Sequence, residues 1–594
     1  MSLIRNTHLP GASPLLFRIS ALVMVIMGLA ASVFWKERLY GDSADYLFRM
    51  IQHESFFIVH SRPGSVFIEW LAWIGIQAGW PMEWIIRSLS LGEFIWFLLC
   101  YLFFAFVIKS RNHAISLVLV YVFALRWNYF NPVSELLLAF PLFILLHYSW
   151  QSFLNRNLLS NLLISWTLGV FLFFCHPLYI LAVPVMLAWF WLDGLNRKEL
   201  IIIGVSLLAG IIMRYLFLDS YEKDPLSTMN VGLSPAAAAK RFIALKTFIE
   251  LGKCYAGTFF VLIAGSIILF KKRQKLKALL LPLFGLSYFA LVAIKFGGLY
   301  PETFEPFERY LFIIPLVVLV LLQNEWSQWR GWKQVVLISC LSWHVFYTYR
   351  YSKIVSNRYE VFENALFNAS QFEEEIIPFR KENYHPVFVS NRIQGHDWIQ
   401  SSESMLLSAL SGASSAKQVF IKDLMPESFF SENHLGEYMY YTFGWMAPVS
   451  AINTKYINLG QGRWRIANTD SLQEYQQEHI ESIDFKVNKM PHMRLNEKNI
   501  LEIELNWKQE YLLYSGMRKR RVGIGYQWEQ AGKKEIGKFL TPLMSDLKSV
   551  IKQRMVVVGP EKPGTYQLIP GWQVADGEDQ RFYPFGENLE VIFN

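Results

Sequence analysis

The chain is 594 residues long, 53% hydrophobic, 16% aromatic and only 18% charged, too apolar for a soluble enzyme of that size and typical of an integral membrane protein. Its formal net charge of +8 would suggest nucleic acid in a soluble chain. Here the basic residues concentrate in short loops such as KKRQKLK at 271 to 277, which is a topology signal, so no nucleic-acid partner is expected. The four cysteines, Cys100, Cys175, Cys254 and Cys340, lie in or beside apolar stretches. They offer neither a disulfide framework nor a thiolate metal cluster.

Residues 15 to 34 form an apolar run of the length that crosses roughly 30 Å of hydrocarbon. It is longer than a signal-peptide core and is expected to be an uncleaved anchor with a cytoplasmic amino terminus. Residues 36 to 84 then form a first outer loop, whose stretch 40 to 70 packs Asp42, Asp45, Arg62 and Glu69 among aromatic and aliphatic residues. Acids held beside an arginine at a membrane surface are costly and point to function. Within the loop, residues 43 to 52 put Tyr46, Leu47, Met50 and Ile51 on one helical face, and residues 65 to 78 repeat the pattern. Both are expected to be helices lying in the membrane interface.

Further spans are expected at 85 to 108, 114 to 127, 133 to 150, 158 to 175, 177 to 192, 200 to 218, 254 to 270, 278 to 294, 310 to 322 and 335 to 347. That makes about eleven, and the alternation puts Lys109, Arg111, Arg156, Arg197, Lys198, the 271 to 277 cluster, Arg330 and Lys333 on one side, as the positive-inside bias requires. An odd count sends the carboxy-terminal region to the face of Asp42. Arg87, Glu93 and Arg214 fall within spans and are expected to pair inside the bundle.

Past residue 350 the composition becomes that of globular domains. Residues 351 to 485 mix helical patterns with strand-like runs such as PVFVS and KQVFIKD, which predicts a mixed α/β domain. Residues 486 to 594 alternate through ILEIELNW, VGIGYQW, RMVVVG and LEVIF, which predicts a β-sandwich. The expected fold is thus a polytopic α-helical membrane domain over 1 to 350 followed by two extracytoplasmic domains.

The order of features resembles the GT-C superfamily of membrane glycosyltransferases, which use lipid-linked sugar donors. The resemblance rests on GDSADYL at 41 to 47, HSRPGS at 60 to 65, PFERYLFIIP at 306 to 315 and HPLY at 176 to 179, and covers residues 1 to 350. The terminal YQW at 526 to 528 and PGTYQL at 563 to 568 look like the immunoglobulin-like domain appended to some bacterial enzymes of this kind. The resemblance implies inverting transfer of one sugar from a polyprenyl-phosphate donor to a glycan, lipid or protein acceptor at the periplasmic face of a bacterial inner membrane. Its nearest rivals are a polymerase or ligase of lipid-linked glycans, and a non-enzymatic protein of polysaccharide transport or assembly.

Such a transfer needs a base for the acceptor hydroxyl and cations for the departing phosphate. No dinucleotide fingerprint or P-loop is present, and none is needed. The resemblance gives Asp42 the part of base, with Asp45 as second acid, metal ligand or capping partner. The family's paired acids appear here with two residues between them, which leaves a divalent metal, Mg or Mn, allowed but not required. Its ligands would be Asp42 and Asp45. Either aspartate alternatively caps the helix over 43 to 52, a role worth about 1 kcal/mol. Arg62, Arg309 and Lys295 are the candidates for the donor phosphate, each alternatively snorkelling to headgroups. Glu135, His176 and Tyr310 are candidates for a second acid or for binding the acceptor. The bland alternatives are a helix-dipole role for Glu135 and a simple helix break at His176.

Overall fold

The computed structural model describes residues 13–126, 128–152, 158–195, 197–218, 255–296, 311–370, 373–379, 400–421, 438–442, 445–463, 483–489, 498–507, 520–536, 550–576, 579–584 and 588–593. The chain divides into two compact units, Met1–Tyr359 and Glu360–Asn594.

The first unit is helical. It opens with α1 (Pro14–Val33), α2 (Asp42–His53), α3 (Val66–Gln77) and α4 (Met82–Leu102), the last continued by a π-helical turn, Phe103–Val107. Then come α5 (Arg111–Ala124), α6 (Glu135–Leu138), α7 (Phe140–Ser152), α8 (Leu158–Cys175), α9 (Tyr179–Leu192) and α10 (Arg197–Leu216). The described part closes with α11 (Ala256–Lys271), α12 (Lys275–Phe296), α13 (Ile313–Leu321), α14 (Gln323–Trp326) and α15 (Trp332–Ser370). Among the described residues, four segments are long and apolar enough to cross a membrane: Pro14–Val33, Met82–Val107, Arg197–Leu216 and Lys275–Val292. Their outward faces carry Leu22, Leu29, Val33, Ile201, Val205 and Ile212, all exposed. Such a surface is unfavourable in water and natural in hydrocarbon, so the unit is compatible with a membrane protein.

Helices occur where the apolar periodicity puts them, with two instructive differences. The last expected span closes at 347, where hydropathy falls, yet α15 runs for 39 residues to Ser370. Nothing in that stretch breaks a helix, since it has neither proline nor glycine. The second difference is α2. Its amphipathic pattern suits a helix floating in an interface, but Ser43, Ala44, Asp45, Tyr46, Leu47, Phe48, Met50 and Ile51 are all buried. The polar side of α2 faces protein partners instead of water.

Helix α3 turns back at Gly79 and packs against α4. The approach is close, because a Cβ on Gly92 would come within 2.2 Å of the Ile68 carbonyl oxygen. Gly92 therefore sets the distance between the two helices.

In the second unit a parallel pair, β1 (Ile376–Phe379) and β2 (Gln418–Ile421), flanks α16 (Gln400–Ser408). Strands β3 (Tyr438–Thr442) and β4 (Trp445–Pro448) form an antiparallel pair. Beyond residue 482 there are two antiparallel sheets. One is β5 (Ile483–Lys489), β6 (Lys498–Trp507) and β9 (Val550–Val558) in the order 5-6-9. The other has the order 11-10-7-8, from β7 (Arg520–Gln530), β8 (Lys533–Ile536), β10 (Gly564–Asp576) and β11 (Asp579–Pro584), with β12 (Leu589–Phe593) also on β10. The Trp528 indole donates to the Val558 carbonyl at 2.8 Å, and the Val558 amide donates to the Tyr526 hydroxyl at 2.8 Å. These bonds tie the two sheets at one point.

Candidate functional site

The site is built on the entry to α2. Arg38, between α1 and α2, is fully buried and meets the Glu93 carboxylate of α4 and the Tyr129 carbonyl. Its Nε donates to Ser90 Oγ at 3.0 Å, and its guanidinium lies 4.2 Å from the centre of the Tyr129 ring. Ser90 in turn donates to the Ala31 carbonyl at 2.8 Å, and Tyr129 to the Met27 carbonyl at 2.7 Å. One buried ion pair thus fixes α1, α4 and the segment at 128–131 around the start of α2. It also supplies the partner of Glu93, an arginine that the hydropathy pattern did not single out. Arg87 pairs instead with Glu83 at 2.7 Å.

Gly41 then turns the chain with φ +71°. This is a left-handed conformation that costs other residues roughly 1–2 kcal/mol, and a Cβ here would also lie 2.9 Å from the Asn131 side chain. Asn131 holds the first turn of α2. Its Oδ1 accepts from Ser43 Oγ at 3.1 Å and its Nδ2 reaches Asp42 Oδ2 at 3.5 Å. The N-cap position belongs to Gly41, with Asp42 the first residue of the helix. Asp42 is therefore not the N-cap residue, and its carboxylate in the first turn complements the helix dipole.

Across from this turn stands Glu135, at the start of the four-residue α6. Tyr46, one turn along α2 from Asp42, donates to Glu135 Oε1 at 2.8 Å. Arg62 approaches Glu135 Oε2 at 4.0 Å, with 15% of its side chain exposed. Gly64 brings its loop against the same residue, since a Cβ there would lie 3.2 Å from Glu135 Cβ and 3.5 Å from Cys175 Sγ. His176 follows Cys175, and its Nδ1 accepts from the Leu178 amide at 3.2 Å. Burial, then the nearby Arg62 and Arg214, push His176 well below the ordinary histidine range, so its ring is neutral. Arg214, buried at the end of α10, donates to the His60 carbonyl at 3.2 Å.

The loop carrying Arg62 is held under strain. Glu54, His60 and Ser61 have φ of 49°, 53° and 55°, a cluster of left-handed non-glycine residues of the kind found at functional sites. Glu69 of α3 accepts from the Phe57 amide at 3.0 Å and has no solvent exposure. Burial pushes its carboxyl up to about 8, so it holds the loop as a neutral acid at pH 7. Tyr46 and Phe57 pack edge to face at 5.1 Å, and Trp73 stacks on Phe56 at 5.0 Å.

Asp42, Arg62, Glu135 and His176 are thus brought into one cluster, with Asn131, Tyr46, Glu69 and Arg214 supporting them. Asp45 follows Asp42 three residues later on α2. It is buried, it pairs with Arg49 at 3.0 Å, and burial outweighs that pair to push its carboxyl up to about 6, with nearby Asp42 adding to the rise. An acid already bound to an arginine does not fit as a shared metal ligand with Asp42. Among the described residues no three His, Cys, Asp or Glu side chains converge as a metal site. Lys295 lies in the last turn of α12, and its side chain falls outside the described residues, as do Arg309 and Tyr310.

Tyr46 and Asn131 are the supporting residues hardest to find from sequence. Tyr46 reads as one apolar position of an amphipathic face, and only its spacing of four from Asp42 hints at a shared side. Asn131 reads as part of an Asn-Pro break. No family model, no curated protein and no solved structure matches this chain.

Proposed function

We propose that this protein is a membrane glycosyltransferase that moves a sugar from a polyprenyl-phosphate donor to a glycan, lipid or protein acceptor at the periplasmic face. In this reading the amino terminus is cytoplasmic, about eleven segments cross a bacterial inner membrane, and the two terminal sheets face each other as a β-sandwich on the acceptor side. The observation that supports it best is the convergence of Asp42, fixed by Gly41 and Asn131, with Arg62, Glu135 and His176.

Asp42 takes the proton of the acceptor hydroxyl as the new bond forms between that oxygen and the anomeric carbon. The bond from the anomeric carbon to the phosphate oxygen breaks, and the polyprenyl phosphate leaves with the electron pair. Arg62, partly exposed and 4.0 Å from Glu135, is the cation in reach of that phosphate. Tyr46 and Glu135 orient Arg62. The neutral His176 ring leaves the cationic role to the arginines. No step is assigned to a metal, because the Asp45 carboxylate is already paired with Arg49.

The test is mass spectrometry of polyprenyl-linked lipids from cells lacking the protein, complemented with wild type or Asp42→Asn at matched levels. Loss of the base should slow transfer by about 10²- to 10⁴-fold, so the donor lipid accumulates in the deletion and in the variant and is cleared by wild type alone. Unchanged lipids, or clearance by Asp42→Asn, would move a transport or assembly role ahead.

A further inference from the structure

A second polar cluster lies at the other end of α5 from Asn131, more than about 15 Å away along the helix rise. His113 of α5, His147 of α7 and Gln323 of α14 are buried, at 1%, 1% and 0% exposure. His113 Nε2 and His147 Nδ1 are 3.3 Å apart, and the Gln323 amide is 3.0 Å from the first and 3.2 Å from the second. Three donor groups from three helices therefore form a nearly equilateral triangle. Ser110 Oγ, 2.6 Å from His113 Nδ1, can take the proton on that nitrogen. The Nε2 lone pair then faces the triangle, the arrangement by which a metal-ligating histidine is oriented.

Two imidazole lone pairs that face each other repel unless a proton donor or a cation lies between them. The Gln323 NH₂ group can serve as the donor. A half-turn of that amide exchanges Oε1 and Nε2 with almost no change of shape, and Ser116 Oγ, 3.1 Å from Oε1, then accepts where it had donated. No hydrogen bond is lost there, and the triangle becomes two nitrogens and one oxygen. Bonds of about 2.0–2.1 Å, as in zinc sites, place an ion roughly 1 Å off its plane, with a fourth position open to water. The surrounding rings of Phe104, Tyr148 and Phe190, at 5.2 to 6.1 Å from the histidines, exclude bulk solvent.

We propose that His113, His147 and Gln323 form a binding site for an imidazole-preferring divalent ion of the zinc type. Magnesium and calcium prefer all-oxygen sites, so this site differs in kind from anything Asp42 could hold. The inference is independent of the glycosyltransferase reading. Its rival is a polar lock in which the same groups only join helices by hydrogen bonds.

The full-length protein, purified in detergent and stripped with a chelator, is dialysed against zinc and its metal content measured. One zinc retained per chain is the expected result, lost in His113→Ala and in His147→Ala. Ser110→Ala should weaken binding by about 10- to 100-fold, the usual effect of removing an orienting partner. Cobalt loaded in place of zinc should give a tetrahedral ligand-field spectrum that zinc bleaches. A wild-type protein that retains no zinc overturns the proposal without reference to any variant, as does zinc retained equally by His113→Ala and His147→Ala.

Discussion

Two arginine–glutamate pairs stand around the entry to α2, and they differ in closure. Arg38 and Glu93 have no exposed side-chain surface, and Arg38 is gripped by four groups. Arg62 and Glu135 keep 15% and 10% of their side chains exposed and are 4.0 Å apart. A closed pair with no exposed surface cannot meet a ligand and serves to hold helices together. A pair that keeps exposed surface at the rim of a strained loop can be reached by a ligand. The same two residue types are sealed in one place and accessible in the other.

The comparison is broken most directly at the closed pair. Arg38→Ala leaves a buried carboxylate without its counter-ion, which should destabilise the first unit by about 3–5 kcal/mol. Thermal unfolding in detergent would show it. The double variant Arg38→Met with Glu93→Leu should recover much of that loss, since buried pairs are often replaceable by apolar residues of similar size. If the single variant melts like wild type, the pair is not closed and the contrast fails.

Gly41→Ala tests the link between the two sides. Left-handed φ and the clash with Asn131 should cost about 1–3 kcal/mol and should displace Asp42. Donor clearance is therefore expected to fall well before the protein unfolds. A variant that clears donor normally would show that the geometry of this turn does not matter to function.

A pH-dependent effect concerns Glu69 beneath the strained loop. Its carboxyl sits near 4.5 in the unfolded chain and is pushed up to about 8 in the fold. Between those values the folded protein keeps a proton that the unfolded chain has lost. The contribution to stability is full below about pH 4.5 and fades as pH rises to about 8. Glu69→Gln keeps an acceptor for the Phe57 amide and cannot titrate. Melting temperatures at pH 5 and pH 8 should drop more for wild type than for the variant. Equal drops would mean that Glu69 is not the neutral clasp of the loop.

The helices were legible because long apolar runs have few alternatives to a helix. α2 and α3 were legible as well, from apolar spacing and from the Gly and Pro that bound them. What periodicity could not show is where a polar face goes. The pattern of α2 fits water or protein equally, and Asp45 was indistinguishable from Asp42 until burial and Arg49 separated them. Likewise His113 and His147, 34 residues apart in sequence, carry no spacing that joins them. The match over their helices comes only from packing.

Composition and periodicity suffice for an apolar, mostly helical chain with a charged loop after its first long helix and strand-rich segments past residue 482. Those features depend on local composition and on the cost of exposing apolar groups to water. Packing alone assigns Glu93 to Arg38, Glu135 to Tyr46 and Arg62, and Asn131 to the turn at Asp42. The partners in these pairs lie 55 to 89 residues apart in sequence. At that separation a contact is chosen by which faces pack together, and no local signal encodes it.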